Sequence, residues 1–273
     1  MKKSTIVLIA TAVAVWIVTM ITVAVIAAGG QNFRVKDIVI NAGCETVTQV
    51  IKPFTVLSLS NDRVYANSAI SIVQCDTVSA PQLKYPAELA EYISYTEVND
   101  TLMISFRCDY DNDIYNEIIL NGESPLTITT PVTPENIQGN DKGSSFRKVA
   151  FSGTKASKIN LSSFYNIRLN STLIDTLYVK DPDSWKYSLN INDSNIGYLK
   201  IGSKRQDSVE ISVNQDSAAT SCIKHLDFDG QINRKHEITL NRITVDNLSY
   251  RGDDVMININ NKAKIGNVYS DEK

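Results

Sequence analysis

Catalytic and metal-binding equipment is what this chain has least of. Its 273 residues include two histidines, His225 and His236, and four cysteines, Cys44, Cys75, Cys108 and Cys222. No two cysteines form a Cys-x-x-Cys pair, and two histidines supply too few ligands for a zinc site. Neither Gly-x-Ser-x-Gly nor a phosphate-cradling glycine loop occurs. The net charge is −3 and no lysine–arginine cluster breaks the polar background. The electrostatic footprint of a nucleic-acid binder is therefore missing. On these grounds no catalytic residue, metal, cofactor or nucleic-acid partner is assigned. The histidines sit among charged neighbours, Lys224-His225 and Arg234-Lys235-His236-Glu237, and read as surface residues.

Charge is also missing from one long stretch. Between Lys3 and Arg34 no charged residue occurs, and Thr5 to Ala28 is an almost unbroken apolar run. About 20 such residues span the hydrocarbon core as a helix. The flanking Lys2 and Lys3 keep the N-terminus cytoplasmic and send the rest across the membrane. Ala27-Ala28-Gly29-Gly30 offers a signal-cleavage alternative, but the run exceeds the 7–15 residues of a typical signal core. An uncleaved single-pass anchor of a bacterial membrane is the expectation. The main domain is then periplasmic or extracellular. No cysteine stands directly after the run to carry a lipid. In an exported chain four cysteines allow three disulfide connectivities, and a bond among Cys44, Cys75 and Cys108 ranks above one to Cys222. The alternative is that they are small buried apolar residues.

What is abundant is short apolar pairs with one residue between them. They are Ile159/Leu161, Ile167/Leu169, Leu177/Val179, Leu189/Ile191, Leu199/Ile201, Val209/Ile211, Leu226/Phe228, Ile238/Leu240 and Ile257/Ile259. Residues i and i+2 share one face of a strand. A pair returns every ten or so residues, and every second one after roughly 20–22, the period of stacked coils. The fold class expected is all-β, a right-handed parallel β-helix behind one transmembrane helix. Asn166, Asn170, Asn190, Asn192, Asn195, Asn258 and Asn260 flank the pairs, where asparagine suits left-handed turns and stacked ladders.

Upstream, Phe33–Ile40, Phe54–Leu59 and Ala69–Val73 read as strands. Ser79 to Pro86 reads as a sheet edge or turn because its prolines lack a donor. Ala87 to Tyr92 suits one helical turn. Tyr92–Val98 and Thr101–Phe106 flank Asn99-Asp100, a two-residue hairpin turn. This order of a strand, Pro-Ala-Glu-Leu, a strand, a short turn and Leu102-Met103-Ile104-Ser105-Phe106 resembles the N-terminal half of the auto-transporter adhesin head domain family, the GIN domain. The resemblance spans about residues 33–266. It implies a β-helical repeat region and an envelope or secreted protein of Gram-negative bacteria. The turns here use Asn, Asp and Ser where that family is often Gly-Ser-rich, and the Gly-Ile-Asn tripeptide is absent.

Domain limits follow. Residues 1–32 are tail and anchor, and 33–266 the GIN-like domain. Within it 33–106 form the N-terminal part and cap, 107–156 a connector and 157–266 regular coils. Residues 267–273 are a polar tail. In the connector, Asp109, Asp111 and Asp113 invite calcium. An EF-hand loop would need glycine and glutamate where Ile114 and Leu120 stand, so a solvated turn is expected.

Three fragments need weighing. Gly252-Asp253-Asp254 matches one motif of polygalacturonases, but the other elements of that active site are missing and a second placed acid or base is required. It reads as a turn, as does Lys180-Asp181-Pro182-Asp183. Arg251-Gly252-Asp253 is an integrin-type tripeptide that matters only on an exposed loop. Trp185, Tyr187 and Tyr198 could stack on sugars, and packing in or beside the core is the reading adopted. The functional expectation is a non-enzymatic, membrane-anchored binding or scaffolding protein, adhesin-like, with a glycan or envelope protein as partner. The alternative is a polysaccharide hydrolase or lyase on the same fold. No ligand-binding residue is assigned.

Overall fold

The structure is a computed structural model that describes residues 15–16, 18–20, 34–41, 45–61, 64–66, 69–106, 114–122, 125–139, 148–180, 186–202, 208–213, 221–230 and 235–270. Cys44, Cys108, Asp109–Asp113, Asp181–Trp185 and the tail from 271 lie outside the described residues. The chain divides into two units, Met1–Lys36 with Tyr110–Tyr115, and Asp37–Asp109 with Asn116–Lys273.

In the first unit residues 15, 16 and 18–20 are helical, with Val15, Trp16, Val18 and Met20 exposed. The Thr19 hydroxyl donates to the Val15 carbonyl at 2.8 Å. Among the described residues no helix is long and apolar enough to cross a membrane. Most of the Thr5–Ala28 run lies outside them.

The second unit is nearly all-β. Its N-terminal strands are β1 (Arg34–Asn41, begun in the first unit), β2 (Thr46–Val50), β3 (Val56–Asn61), β4 (Val64–Ala66), β5 (Ile70–Gln74) and β6 (Gln82–Pro86). After the 3-10 turn Ala87–Glu91 come β7 (Ile93–Val98), β8 (Thr101–Phe106), β9 (Ile114–Asn121), β10 (Leu126–Thr130) and β11 (Asn136–Gln138). From there β12 (Lys148–Ser152), β14 (Asn166–Asn170), β16 (Lys186–Asn192), β18 (Ser208–Val213), β20 (Lys235–Asn241) and β22 (Asp254–Asn260) extend one sheet. The strands between them, β13 (Lys155–Ser162), β15 (Leu173–Lys180), β17 (Asn195–Gly202), β19 (Cys222–Asp229), β21 (Thr244–Arg251) and β23 (Lys264–Ser270), extend the other. The full orders are β2-β6-β10-β5-β12-β14-β16-β18-β20-β22 and β23-β21-β19-β17-β15-β13-β11-β3-β8-β7, and β1-β9-β4 form a small third sheet. From β12 onward the chain feeds the two large sheets in strict alternation, and every pairing there is parallel.

The apolar pairs create this arrangement. Leu189, Ile191, Leu199, Ile201, Val209 and Ile211 are all at most 1% exposed. In the second sheet Leu177, Leu199, Leu226 and Leu248 stand in one column, and Val179, Ile201 and Phe228 in the next. Burying one such side chain is worth about 1.5–3 kcal/mol. The last pair departs from the pattern. Ile259 occupies the column of Leu240 yet is 53% exposed, because β22 is the outer strand of its sheet and no further strand covers it.

Two recurrent irregularities shape each step. First, the joint between sheets is a left-handed residue followed by a small or apolar buried one. The left-handed residues Gly153, Ser171, Asp193, Arg242 and Lys262 have φ of 66°, 52°, 47°, 60° and 68°. They precede Thr154, Thr172, Ser194, Ile243 and Ala263. These joints stack: Thr172 N–H donates to Ser194 Oγ at 2.9 Å, and Ser194 N–H to Ser221 Oγ at 3.3 Å. Turn amides that would otherwise be orphaned inside the protein thereby find partners. Second, strands of the second sheet bury positions i, i+3 and i+5, as at Ile174, Leu177 and Val179. Two consecutive residues therefore face outward and the strand bends. At the bend a Cβ on Gly197 would lie 2.6 Å from the Asp175 carbonyl oxygen, and one on Gly266 2.5 Å from that of Asp246. Only glycine lets the backbones approach so closely.

The N-terminal strands largely follow expectation. Asn99 and Asp100 have φ of 46° and 59°, and β7 and β8 pair antiparallel around them. One segment differs. Gln82–Pro86 is not at an edge; it lies between β2 and β10. Pro81 precedes the strand and offers its carbonyl to Ile51 N–H, and Pro86 ends it, so neither proline removes a needed donor. Cys75 and Cys222 are both free thiols.

Replacing Ile201 by Asp places an unpaired charge in this core and should unfold the second unit, at a cost of about 4 kcal/mol or more. A melting temperature equal to wild type refutes the inward assignment. Gly197→Ala should destabilise by about 1–3 kcal/mol through its clash. Gly202→Ala, whose Cβ would meet among the described residues only the Val179 carbonyl oxygen at 3.8 Å, should melt as wild type does.

Candidate functional site

On the outer face of the second sheet the polar residues between the apolar pairs form columns of their own. One column is Asn136, Asn160, Tyr178, Lys200, Asp227, Ser249 and Tyr269. Beside it runs Lys158, Thr176, Tyr198, His225, Asn247 and Asn267. Neighbours along a column are one strand apart, about 4.8 Å, so unlike side chains are forced into contact.

The centre of this face is Asp227. Its Oδ2 accepts the Tyr198 hydroxyl at 2.7 Å and stands 3.2 Å from Lys200 Nζ. Its Oδ1 accepts the Ser249 hydroxyl at 3.3 Å. Partial burial works to raise the Asp227 carboxyl. The Tyr198 and Lys200 hydrogen bonds, the Lys200 charge and the Ser249 hydroxyl outweigh it, and the group ionises below its ordinary range. The Tyr198 phenol is pushed well above its ordinary value, first by desolvation and then by the hydrogen bond to Asp227 and the charge there. The Tyr198 ring stacks on His225 with centroids 5.2 Å apart and planes 19° apart, and meets the Tyr178 ring edge-on at 6.0 Å. Lys158 Nζ lies 5.9 Å from the Tyr178 centroid and 3.3 Å from Glu135 Oε1.

The contacts seen here hold the face together. His225 Nε2 is 3.2 Å from Ser249 Oγ, so Ser, His and Asp do meet. Their order is not that of an activated nucleophile. The serine gives its proton to the carboxylate, whereas a triad aims the carboxylate at the second imidazole nitrogen. The rings of Tyr198 and His225 cover each other, which favours the packing role read for Tyr198 over a sugar platform. Tyr187 is fully buried in the core, with a hydroxyl that finds no partner.

His236 corrects the sequence reading. It is 2% exposed and packs edge-on against Phe228 with centroids 5.4 Å apart. It holds an inward column position, between charged sequence neighbours that face out. His225 is half-buried. Gly252 and Asp253 form the turn between β21 and β22, with Gly252 at φ 146°, and Asp254 opens β22. Asp254 pairs with Lys235 at 3.7 Å and Arg251 with Asp229 at 3.2 Å. Among the described residues no three His, Cys, Asp or Glu side chains gather in metal-binding geometry. The cluster around Asp227 was missed from sequence, although the residue enclosed by each apolar pair marks its column.

No protein-family model matches the chain, and no curated protein matches it. Among solved structures it is similar to a candidate adhesin from Bacteroides fragilis, at 12% identity over 85% of this chain and 99% of that one, TM-score 0.42. It is also similar to a candidate lipid-binding protein from Parabacteroides distasonis, at 12% identity over 86% and 100%, TM-score 0.38. A candidate adhesin from Parabacteroides merdae follows, at 10% identity over 85% and 99%, TM-score 0.32.

The buried Tyr187 hydroxyl yields a test. Tyr187→Phe removes an unsatisfied polar group and should stabilise by about 1–3 kcal/mol, read in denaturant melts. Burial also raises the Tyr187 phenol, as desolvation and Asp227 raise that of Tyr198. A raised acid stabilises the fold below its unfolded pKa, about 10 for tyrosine, and loses that contribution as pH climbs through the folded value. Stability should therefore fall above about pH 10, and less steeply in Tyr187→Phe. Asp227, being lowered, acts oppositely. Its contribution is present above the ordinary aspartate value of about 3.9 and fades as pH falls through the folded value. Asp227→Asn should flatten that acid limb.

Proposed function

We propose that this chain is a non-enzymatic binding or scaffolding module of the bacterial envelope. In this reading the alternating sheets are the coils of a right-handed parallel β-helix of the GIN-domain kind. The Thr5–Ala28 run anchors it in the membrane, with Lys2 and Lys3 in the cytoplasm and the β domain outside. The observation that carries the binding half is the outer face of the second sheet, where polar and aromatic columns stand on a backbone grid that repeats strand after strand. Such a grid suits an extended partner. The uncharged run with its basic flank supports the anchor. The rival reading, a polysaccharide hydrolase or lyase, rests on Asp253 and Asp254, and their exposed place, on a turn and at the first residue of β22, gives it little support.

An export-dependent reporter fused after Lys273 should be active, and an inactive one refutes the topology. A mature N-terminus near Gly30 would refute the uncleaved anchor alone. Incubation with pectic and other acidic polysaccharides should give no shortened product. Cleavage abolished by Asp253→Ala with Asp254→Ala would overturn the non-enzymatic reading.

A further inference from the structure

The two ends of the stacked sheets are built differently. At one end the edge strands are β2 and β7. Both run antiparallel to their neighbours, and the 3-10 turn Ala87–Glu91 touches both and buries Leu89. That end is capped. At the other end the edges are β22 and β23, and among the described residues no strand pairs with their outer sides. The core columns run out into solvent there. Ile259 and Val268 are 53% and 51% exposed, whereas Leu240 and Leu248, one coil earlier in the same columns, are fully buried. Val255, Ile257 and Ile265 also lose part of the cover that His236, Ile238 and Val245 have. Open strand edges usually carry a charge or a proline that blocks pairing. Residues 255–260 and 265–270 contain neither.

We propose that this end pairs with the same end of a second copy of the chain, joining both sheets across one two-fold axis. Each edge is complementary to itself. Pairing β22 antiparallel about Ile257 sets Val255 opposite Ile259 of the second copy, Met256 opposite Asn258, and Asp254 opposite Asn260. Pairing β23 about the midpoint of Gly266 and Asn267 sets Ile265 opposite Val268 and Lys264 opposite Tyr269. Directly opposed residues of an antiparallel pair share a face, so inward residues meet inward ones, and no like charges meet. The two centres stand at matching chain distances, about five residues, on either side of the left-handed Lys262. One axis perpendicular to both sheets therefore serves both. Rotation about it reverses the strand and stacking directions and keeps the inner face inner. Such an isologous contact closes at two copies. A foreign strand would satisfy one edge, whereas a second copy satisfies both and continues the core columns of both sheets. The inference stands apart from the binding reading and holds with or without a glycan.

The test is sedimentation velocity of the full chain in non-ionic detergent at rising protein concentration. The chain should form dimers and nothing larger, and added salt should leave them intact, because screening weakens only charge contacts. Ile259→Lys combined with Val268→Lys puts a charge on each edge. Both side chains are exposed in the single chain, so the variant should keep the wild-type circular-dichroism spectrum. Its dimer dissociation constant should rise at least about ten-fold. Val50→Lys makes the same change at an exposed residue of β2, on the capped end, and should leave dimerisation unaltered. Oxidation reads the position separately. Ile257→Cys places a thiol on the axis beside that of the second copy and should give a covalent dimer beyond any that wild type gives. Met103→Cys, at an exposed residue of β8, should not. Should the double variant lose its spectrum, the cysteine readout decides alone. A monomer at every concentration overturns the proposal. So do dimers that survive the double variant, equal weakening by Val50→Lys, growth beyond two copies, or no added covalent dimer with Ile257→Cys. Any of these leaves the binding reading standing, which fails separately, if polysaccharide is cut.

Discussion

The strands from β12 to β23 depend on parallel stacking in register. Each strand from β13 onward hydrogen-bonds to the one two elements earlier, so a residue's neighbours are set by its column and not by its sequence surroundings. A buried column must therefore be apolar along its whole length, and Leu177, Leu199, Leu226 and Leu248 obey that demand. An outward column has no such demand, and there tyrosine, lysine, aspartate and serine are brought side by side. Cohesion of the face comes from those contacts: a carboxylate with three donors, an aromatic stack and asparagine pairs such as Asn267 to Asn247 at 3.0 Å.

The same constraint explains which parts of the fold were legible. The i, i+2 apolar pairs announce themselves because burial on a strand has period two. The bend in the second sheet is silent, since an i, i+3, i+5 pattern looks like neither a strand nor a helix. The joints are silent for another reason. Left-handed residues usually betray themselves as glycine or asparagine, yet here Ser171, Arg242 and Lys262 take that role, each costing about 1–2 kcal/mol of strain. Stacked hydroxyls and carbonyls from adjacent joints hold them there, and such support comes from residues some 22 positions away.

His236 and Asp227 show the limit from two sides. Arg234, Lys235 and Glu237 make His236 look exposed, although alternation sends it inward to Phe228. Asp227 lies between Leu226 and Phe228 and is plainly outward, but its partners Tyr198, Lys200 and Ser249 are visible only once the apolar pairs are aligned coil by coil. Gly197 and Gly266 belong to the same class. Each looks like an ordinary turn former, and its function is to admit a carbonyl oxygen from the neighbouring strand.

The grid also bears on what such a face can do. Catalysis needs groups that converge on one reacting atom with water excluded. Neighbouring outward side chains on a flat parallel sheet emerge nearly parallel, and here they meet each other rather than a shared vacancy. The Asp227 carboxylate is consumed by its three donors, and Ser249 by the carboxylate. In the binding reading proposed above, such a regular surface suits a partner that repeats as it does, with selectivity where the grid is interrupted. On this face the interruptions among the described residues are Gly197, Gly202 and Gly266, outward positions of β17 and β23 without a side chain.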